Sequence, residues 1–314
     1  MILLIGRGYV GTALAEAMKR RHLEFQAPGE AQLDATRFEP LLAFLKEHRP
    51  EFVVCAAGFT GRPNVDACET KRADTLAGNV LLPATLAHAC AAADVPFGHV
   101  SSGCIYTGAK VVEGGATRVE KDLLAPQVRE RVEKDRSIVR GFHEDDAPNF
   151  SFRDGPCSFY SGTKALGEEA VAGVGRGYLW RLRIPFDEID SPRNYLTKLQ
   201  AYPKVYDNYN SLSHLGDFAE ACIDLWVRRA PFGTYNVTNP GFVSARQVVG
   251  MIQRILKPRR EFAFWSSDEE FYKTAAKTPR SNTVLDSSKL LATGVKLRPV
   301  EEALEAALKS WKKA

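Results

Sequence analysis

Apolar runs bounded by turn residues alternate, over residues 1–183, with segments whose apolar positions recur every three or four. Ile2–Ile5 reads as a short buried strand and Val10–Arg21 as a helix, with Glu24-Phe25-Gln26 as the second strand. Phe38–His48 is helical, with Leu41, Leu42 and Leu45 on one face, and Glu51–Ala56 is the third strand. Asn79–Ala93 reads as an Ala/Leu-rich helix, Pro96–Ser101 as a strand, Tyr160–Val171 as a helix and Gly177–Arg183 as a strand. Alternation of this kind predicts βαβ units and an α/β fold, a doubly wound parallel sheet of Rossmann type. From about residue 184 the pattern breaks into shorter elements with prolines and aromatics, which predicts a smaller substrate-binding lobe. The expected division is a nucleotide-binding domain over 1–183 and a lobe over 184–314 that returns segments to the first.

One stretch breaks the rhythm. Thr107 to about Ala147 is Gly-rich and then densely charged, from Arg118-Val-Glu-Lys-Asp through Arg129-Glu-Arg-Val-Glu-Lys-Asp-Arg. Such a run reads as a solvated surface helix. Lying between Ser102 and Tyr160, it reads alternatively as a lid whose trimming over 118–136 would raise KM.

Composition narrows the class. Of 314 residues, 45% are hydrophobic and 25% charged, as in ordinary soluble domains. The net charge of +4 is dispersed, which argues against nucleic acid and suits an anionic small substrate. Six cysteines with no Cys-x-x-Cys and no histidines at ligand spacing predict free thiols and no metal. With no basic leader and no apolar run of membrane-spanning length expected, the location reads as cytoplasmic, with no membrane partner.

Two motifs carry the chemistry. Tyr160-Ser-Gly-Thr-Lys164 follows, about fifty residues on, a serine segment Ser101-Ser102-Gly103-Cys104 at the end of an apolar strand. Reduction of a carbonyl by a nicotinamide needs a proton at oxygen as hydride reaches carbon. Residues four apart share a helix face, so the Lys164 ammonium is expected beside the Tyr160 hydroxyl. At about 4 Å and an effective dielectric near 20 the attraction is roughly 4 kcal/mol, up to about three pKa units. That shift is expected to bring the phenol toward working pH, with Ser102 orienting the carbonyl oxygen. The second motif is Gly6-Arg7-Gly8-Tyr9-Val10-Gly11, between strand and helix, where glycines admit a pyrophosphate to a helix N-terminus. Gln26-Ala27-Pro28 stands where an acid selective for NAD would end the second strand. Asp34 comes later and is expected to flank the adenine. Arg7 can meet a 2′-phosphate, so NADPH is the expected cofactor, with NADH as the other choice.

These segments resemble the extended short-chain dehydrogenase/reductases. More closely, the chain resembles reductases of nucleotide-linked 4-dehydro-6-deoxy sugars, above all the plant-type and giant-virus-type nucleotide-rhamnose synthase epimerase/reductases. The matching stretches are Ala56–Glu69, Gly103-Cys-Ile-Tyr106, Glu144–Phe150 leading to Ser158–Lys164, Ser191–Lys198, Tyr235–Gly241 with Val243-Ser244, and Pro279–Asp286. The glycine loop is one residue shorter than the family's usual Gly-x-x-Gly-x-x-Gly. The resemblance implies hydride transfer to C4 of an NDP-4-dehydro-6-deoxyhexose, giving an NDP-rhamnose, with Ser102, Tyr160 and Lys164 catalytic. It implies that Ala56, Ala57 and Gly58 line the cofactor and that Thr60, Arg62, Asn64, Ser102, Gly103 and Cys104 face the sugar. Arg193, Asn194, Arg280 and Asn282 are implied contacts to the nucleotide, a guanidinium suiting a diphosphate. Cys104 and Lys198 match the pair that moves protons at C3 and C5 in the bifunctional relatives. A homodimer is a further implied partner. Two other readings remain: a nucleotide-sugar 4-epimerase or dehydratase that recycles NAD, and a non-catalytic NAD(P)-binding regulatory protein.

Overall fold

Described over residues 1–313 by a computed structural model, the chain begins with β1 (Ile2–Ile5), α1 (Tyr9–Arg20), β2 (Phe25–Gln26), α2 (Phe38–His48) and β3 (Phe52–Cys55). Next come α3 (Ala67–Thr70) and α4 (Arg72–Leu76), which continues through a π-turn at Ala77–Leu81 into α5 (Leu82–Ala92) and so to β4 (Phe97–Ser102). An excursion follows: β5 (Ala109–Glu113), β6 (Ala116–Glu120), α6 (Pro126–Lys134) and β7 (Val139–Arg140). The chain returns through α7 (Phe159–Val171) and β8 (Gly177–Leu182). Short pieces then alternate: β9 (Pro185–Phe186), α8 (Tyr195–Ala201), β10 (Lys204–Val205), β11 (Tyr209–Asn210) and β12 (Ser213–His214). The last major elements are α9 (Leu215–Val227), β13 (Gly233–Asn236), β14 (Val243–Ser244), α10 (Ala245–Leu256) and, near the C-terminus, a helix over Val300–Lys309.

β13, β8, β4, β3, β1 and β2 form one parallel sheet in that order. Strand order turns back between β1 and β3, the position where a doubly wound sheet opens a crevice at its C-terminal edge. The loops carrying Gly6–Gly11 and Ala56–Gly58 therefore face each other there. Alternate residues of the strands feed two cores. Leu4, Phe52 and Trp180 pack with Leu14, Met18, Phe218 and Cys222. Leu3, Val53 and Phe97 pack on the other face with Leu41, Leu45 and Leu86.

Three sequence expectations need correction. The helix expected from Asn79 begins at Arg72 and runs on to Ala92. By length and composition it would reach across a membrane, against the expectation of no such run, but Leu82, Leu86 and Cys90 are buried against α2 and β3. The 107–147 stretch is a β6–β5–β7 sheet with one nine-residue helix, not a single surface helix. Its Val111, Leu123, Val128 and Val132 are buried with Tyr209, Phe242 and Val284, while its charges pair outside (Arg129 with Glu133, Arg118 with Glu120). The half beyond residue 184 holds long helices: α9 and α10 have 13 and 12 residues. It has its own core of Phe186, Leu196, Val248, Ile252 and Leu304, yet lends β13 to the main sheet.

Candidate active site

The crevice is built from backbone first. Gly6 has φ +100°, and a Cβ there would stand 2.5 Å from the Ala57 nitrogen; at Gly11 it would stand 1.9 Å from the Gly6 carbonyl oxygen. Those two glycines are demanded by the turn itself. At Gly8, which is exposed, a Cβ would meet nothing within 4 Å. Arg7 is exposed, with its guanidinium over Gly29, just past β2. No acid stands at Gln26-Ala27-Pro28, although Glu30 follows Gly29. Tyr9 turns its hydroxyl inward toward Asp187 and Ser191, and Val10 sits in the first turn of α1. Asp34 is exposed and its carboxylate accepts from the Thr36 amide at 3.1 Å, so it closes its own turn.

α7 delivers the second half. Ser158 caps it, accepting from the Ser161 amide at 3.1 Å. Glu69 accepts from the Phe159 amide and from the Thr278 hydroxyl, both at 2.8 Å, which ties the start of α7 to α3 and to the 278 segment. Tyr160, Lys164 and Glu168 then follow at four-residue intervals on one face. Ser102, at the end of β4, caps a short turn by accepting from the Cys104 amide at 3.2 Å. Tyr160 packs with Cys104 and Ile105, and Ser102 lies close enough to favour its anion.

Electrostatics here differ from the spacing argument. Burial pushes the Tyr160 phenol above its ordinary value and Cys104 adds to the rise, against smaller opposite effects of Ser102 and Arg183. Lys164 is buried, donates to the Val100 carbonyl at 3.1 Å and is itself pulled down by burial. The expected Lys164 attraction is not among the main influences on the Tyr160 phenol, which burial holds protonated at neutral pH rather than drawing it toward ionisation. A protonated phenol is the state a proton donor needs.

The implied sugar-side residues divide. Arg193 donates to the Thr60 hydroxyl at 2.8 Å and to the Gly61 carbonyl at 3.3 Å, bringing α8 and the loop after β3 together. Arg62 is exposed beside them, and Asn64 accepts from the Asp66 amide. Gly103 is buried against Leu285, and Asn282 accepts from Asn210 at 3.2 Å. Lys198 is half-buried, its ammonium lowered by burial and then by Arg193. Asn194 is a correction: wholly buried, it caps α8 and donates to Asp187 and Ile189, leaving nothing for a nucleotide. Arg280 is paired within the chain, its terminal nitrogens donating to the Asp66 carboxylate at 2.6 and 2.8 Å. It lines a cleft of about 480 Å³ with Asn149, Phe150 and Tyr272, a cleft that Ser102 and Tyr160 do not reach.

Several residues that build the site escaped sequence reading. Asn79, inside the π-turn, bonds the amide and carbonyl of Phe59 and the Thr163 hydroxyl, clamping the loop after β3 to α7. Glu168 forms a buried pair with Arg181 and accepts from Ser101 at 2.5 Å. Its sequence signal was its place four residues past Lys164, opposite an arginine inside an apolar strand.

The RmlD substrate binding domain family matches residues 1–313. A bifunctional dTDP-4-dehydrorhamnose 3,5-epimerase/dTDP-4-dehydrorhamnose reductase of Arabidopsis thaliana is 32% identical over 85% of this chain and 79% of its own length. A trifunctional UDP-glucose 4,6-dehydratase/UDP-4-keto-6-deoxy-D-glucose 3,5-epimerase/UDP-4-keto-L-rhamnose-reductase of the same plant is 29% identical over 95% of this chain. The chain spans 40% of that relative's length. Among solved structures, a UDP-rhamnose synthase of Acanthamoeba polyphaga mimivirus superposes with a TM-score of 0.81 over 99% of both chains at 22% identity. A Rossmann sheet, a glycine loop at its switch point, Tyr160 and Lys164 on one face of α7 and a family match over residues 1–313 agree, and the chain belongs to the RmlD substrate binding domain family.

Proposed function

We propose that this chain is an NADPH-dependent reductase of the C4 ketone of an NDP-4-dehydro-6-deoxyhexose that also epimerises C3 and C5, making an NDP-rhamnose. The observation that carries the reading is the meeting of Ser102, Cys104, Tyr160 and Lys164 at the sheet edge that also bears the glycine loop. Gly6, Gly8, Gly11, Ala57 and Arg7 would hold NADPH, whose part is to supply the hydride. Arg7 over Gly29, with no acid at Gln26-Ala27-Pro28 where β2 ends, favours the 2′-phosphate. Tyr160 gives its proton to the carbonyl oxygen, Ser102 orients that oxygen, and Lys164 steadies the phenolate left behind. Cys104 and Lys198 exchange protons beside the ketone. Residues 1–183 mainly serve the cofactor and 184–314 mainly the sugar nucleotide.

Five buried thiols and a half-buried Cys157, all free, suit a cytoplasmic setting. Exposed Leu81 and Leu166 form a surface that a homodimer would cover. The test is nicotinamide oxidation with the UDP and dTDP forms of 4-dehydro-6-deoxyglucose side by side, no separate epimerase being added. Formation of an NDP-rhamnose is expected, and Cys104→Ala should abolish it while a pre-epimerised ketone is still reduced. Turnover requiring an added 3,5-epimerase would leave a plain reductase. Nicotinamide retained through purification, with no net oxidation, would point instead to a 4-epimerase or dehydratase.

A further inference from the structure

β8 leads into two arginines on the same side of the sheet, and their surroundings differ. Arg181 is met in full: Glu168 accepts from its Nε and Nη2, and the Glu144 carbonyl accepts from Nη1. Arg183 meets no carboxylate among the described residues. Its Nη2 donates to Asn210 and to the Ser281 carbonyl, while its Nε is buried without a partner. The side chain keeps 6% of its surface. Taking a cation out of water without a counter-charge is strongly unfavourable, so a fold that retains one there has a use for its charge.

Register says where that charge lies. Ser102 pairs with Leu182, so Arg183 falls beside the Gly103-Cys104 turn. Cys104, Tyr160 and Tyr195 are the groups whose charge it feels, and burial lowers the guanidinium to about 10, which leaves it a cation at neutral pH. Cys104 is faced by the Ser102 and Ser161 hydroxyls, by Lys164 and Tyr160 from α7, by Cys68 from α3 and by Cys157. Of its two cationic neighbours, Lys164 spends a hydrogen bond on the Val100 carbonyl. Arg183 is the one with a buried donor nitrogen, Nε, that has no partner at all.

We propose that Arg183 is a positioning residue for Cys104, its guanidinium holding the negative charge of the sulfur during proton transfer beside the ketone. The inference rests on the epimerase reading. In that step the thiolate takes the proton from the carbon next to the ketone, and the C–H electron pair becomes the enolate double bond. The carbonyl pair moves to oxygen. Protonation by the Lys198 ammonium from the other face restores the ketone with that carbon inverted, and the Cys104 proton then returns to Lys198 through solvent, with no net oxidation.

Two measurements test it on the intact protein, using Arg183→Met and the charge-keeping Arg183→Lys, with thermal melts establishing that each variant folds. The first is the thiolate absorbance belonging to Cys104, taken as the difference from a Cys104→Ala background and titrated against pH. Its midpoint should rise by about one pH unit in Arg183→Met and less in Arg183→Lys. The second is solvent deuterium wash-in at C3 and C5 without reduced nicotinamide. It should fall about tenfold below the midpoint, the same shift read as rate, with its pH profile displaced to the alkaline side. Reduction of the already epimerised ketone should fall less. An unmoved Cys104 midpoint would overturn the inference, as would equal losses in both reactions with unshifted profiles. Wild-type protein that reduces the ketone without any wash-in would overturn the epimerase reading and the proton-transfer step with it, while the thiol midpoint would still report the charge at Cys104.

Discussion

Tyr160 and Lys164 illustrate how far a spacing argument reaches. Four residues on a helix put both on one face, but not at one depth or in one dielectric. Burial raises the phenol and lowers the ammonium, so each is shifted toward its neutral form. Tyr160→Phe should therefore cut turnover by about 10²–10⁴-fold with little change in melting temperature, since the hydroxyl holds no hydrogen bond that the core depends on. Loss of less than tenfold would assign the proton to another group. Glu168 is different in kind. Its carboxylate neutralises Arg181 with side chains 9% and 5% exposed, so Glu168→Gln strands a buried guanidinium. The expected cost is about 3–5 kcal/mol in urea unfolding. A cost near that of a surface pair, about 0–1 kcal/mol, would show that water reaches Arg181.

Among the elements, the glycine loop and the charged excursion make opposite cases. The loop was legible because its glycines are required by contacts within a few residues of each other and of β3. Gly11→Ala sets a Cβ against the Gly6 carbonyl and must displace the loop. NADPH affinity in a fluorescence titration should fall by more than about tenfold, at least 1.4 kcal/mol; unchanged affinity would mean the cofactor does not use this loop. The excursion was misread because its charges outnumber its few inward residues, and Leu123, Val128 and Val132 find partners only in Tyr209, Phe242 and Val284 far along the chain. A short linker in place of residues 109–134 should lower the melting temperature and expose an apolar dye-binding surface. Altered KM with unaltered melting would restore the lid.

At the scale of the whole molecule, α9 packs on α1 through Arg20 and Arg21 on Glu220, and a polar knot within the second half holds its base. His214 caps α9 and is faced by Glu188 at 3.4 Å, Asp217 at 3.3 Å and Arg298 at 3.2 Å. Burial opposes its charge, but the two carboxylates outweigh burial and hold the imidazole above its ordinary value. Its contribution to stability is fully present below about pH 6.5, the unfolded value, and is lost as pH rises through the raised folded value. Glu188, drawn down to about 2 chiefly by His214, and Asp217, held low by His214 and Arg298 against burial, run the other way. Their contribution is present above about pH 4.3 and is lost as pH falls through the depressed values. The knot is thus complete between about pH 4.5 and 6.5. His214→Gln should cost more stability at pH 5.5 than at pH 9 in paired urea titrations, and equal costs would remove the charge from the account.

The sequence by itself determined the parallel sheet, the glycine loop and the Tyr160, Lys164 and Ser102 triplet. Those features rest on local periodicity and on contacts between neighbouring strands and helices. Tertiary structure alone decided the rest. α9 has a helical apolar period, with Leu215, Phe218, Cys222 and Leu225 buried and Asp217, Glu220 and Asp224 on the other side, but only the tertiary structure seated it against α1. Asn194 had the chemistry of a nucleotide ligand, yet Asp187 and Ile189 had already taken its amide, and Asp66, distant in the chain, pairs with Arg280. Arg183 and Arg181 look alike in the sequence. Which one is neutralised depends on where Glu168 comes to rest, because the effect of a charge is set by the groups that surround it after burial and not by the residues beside it in the chain.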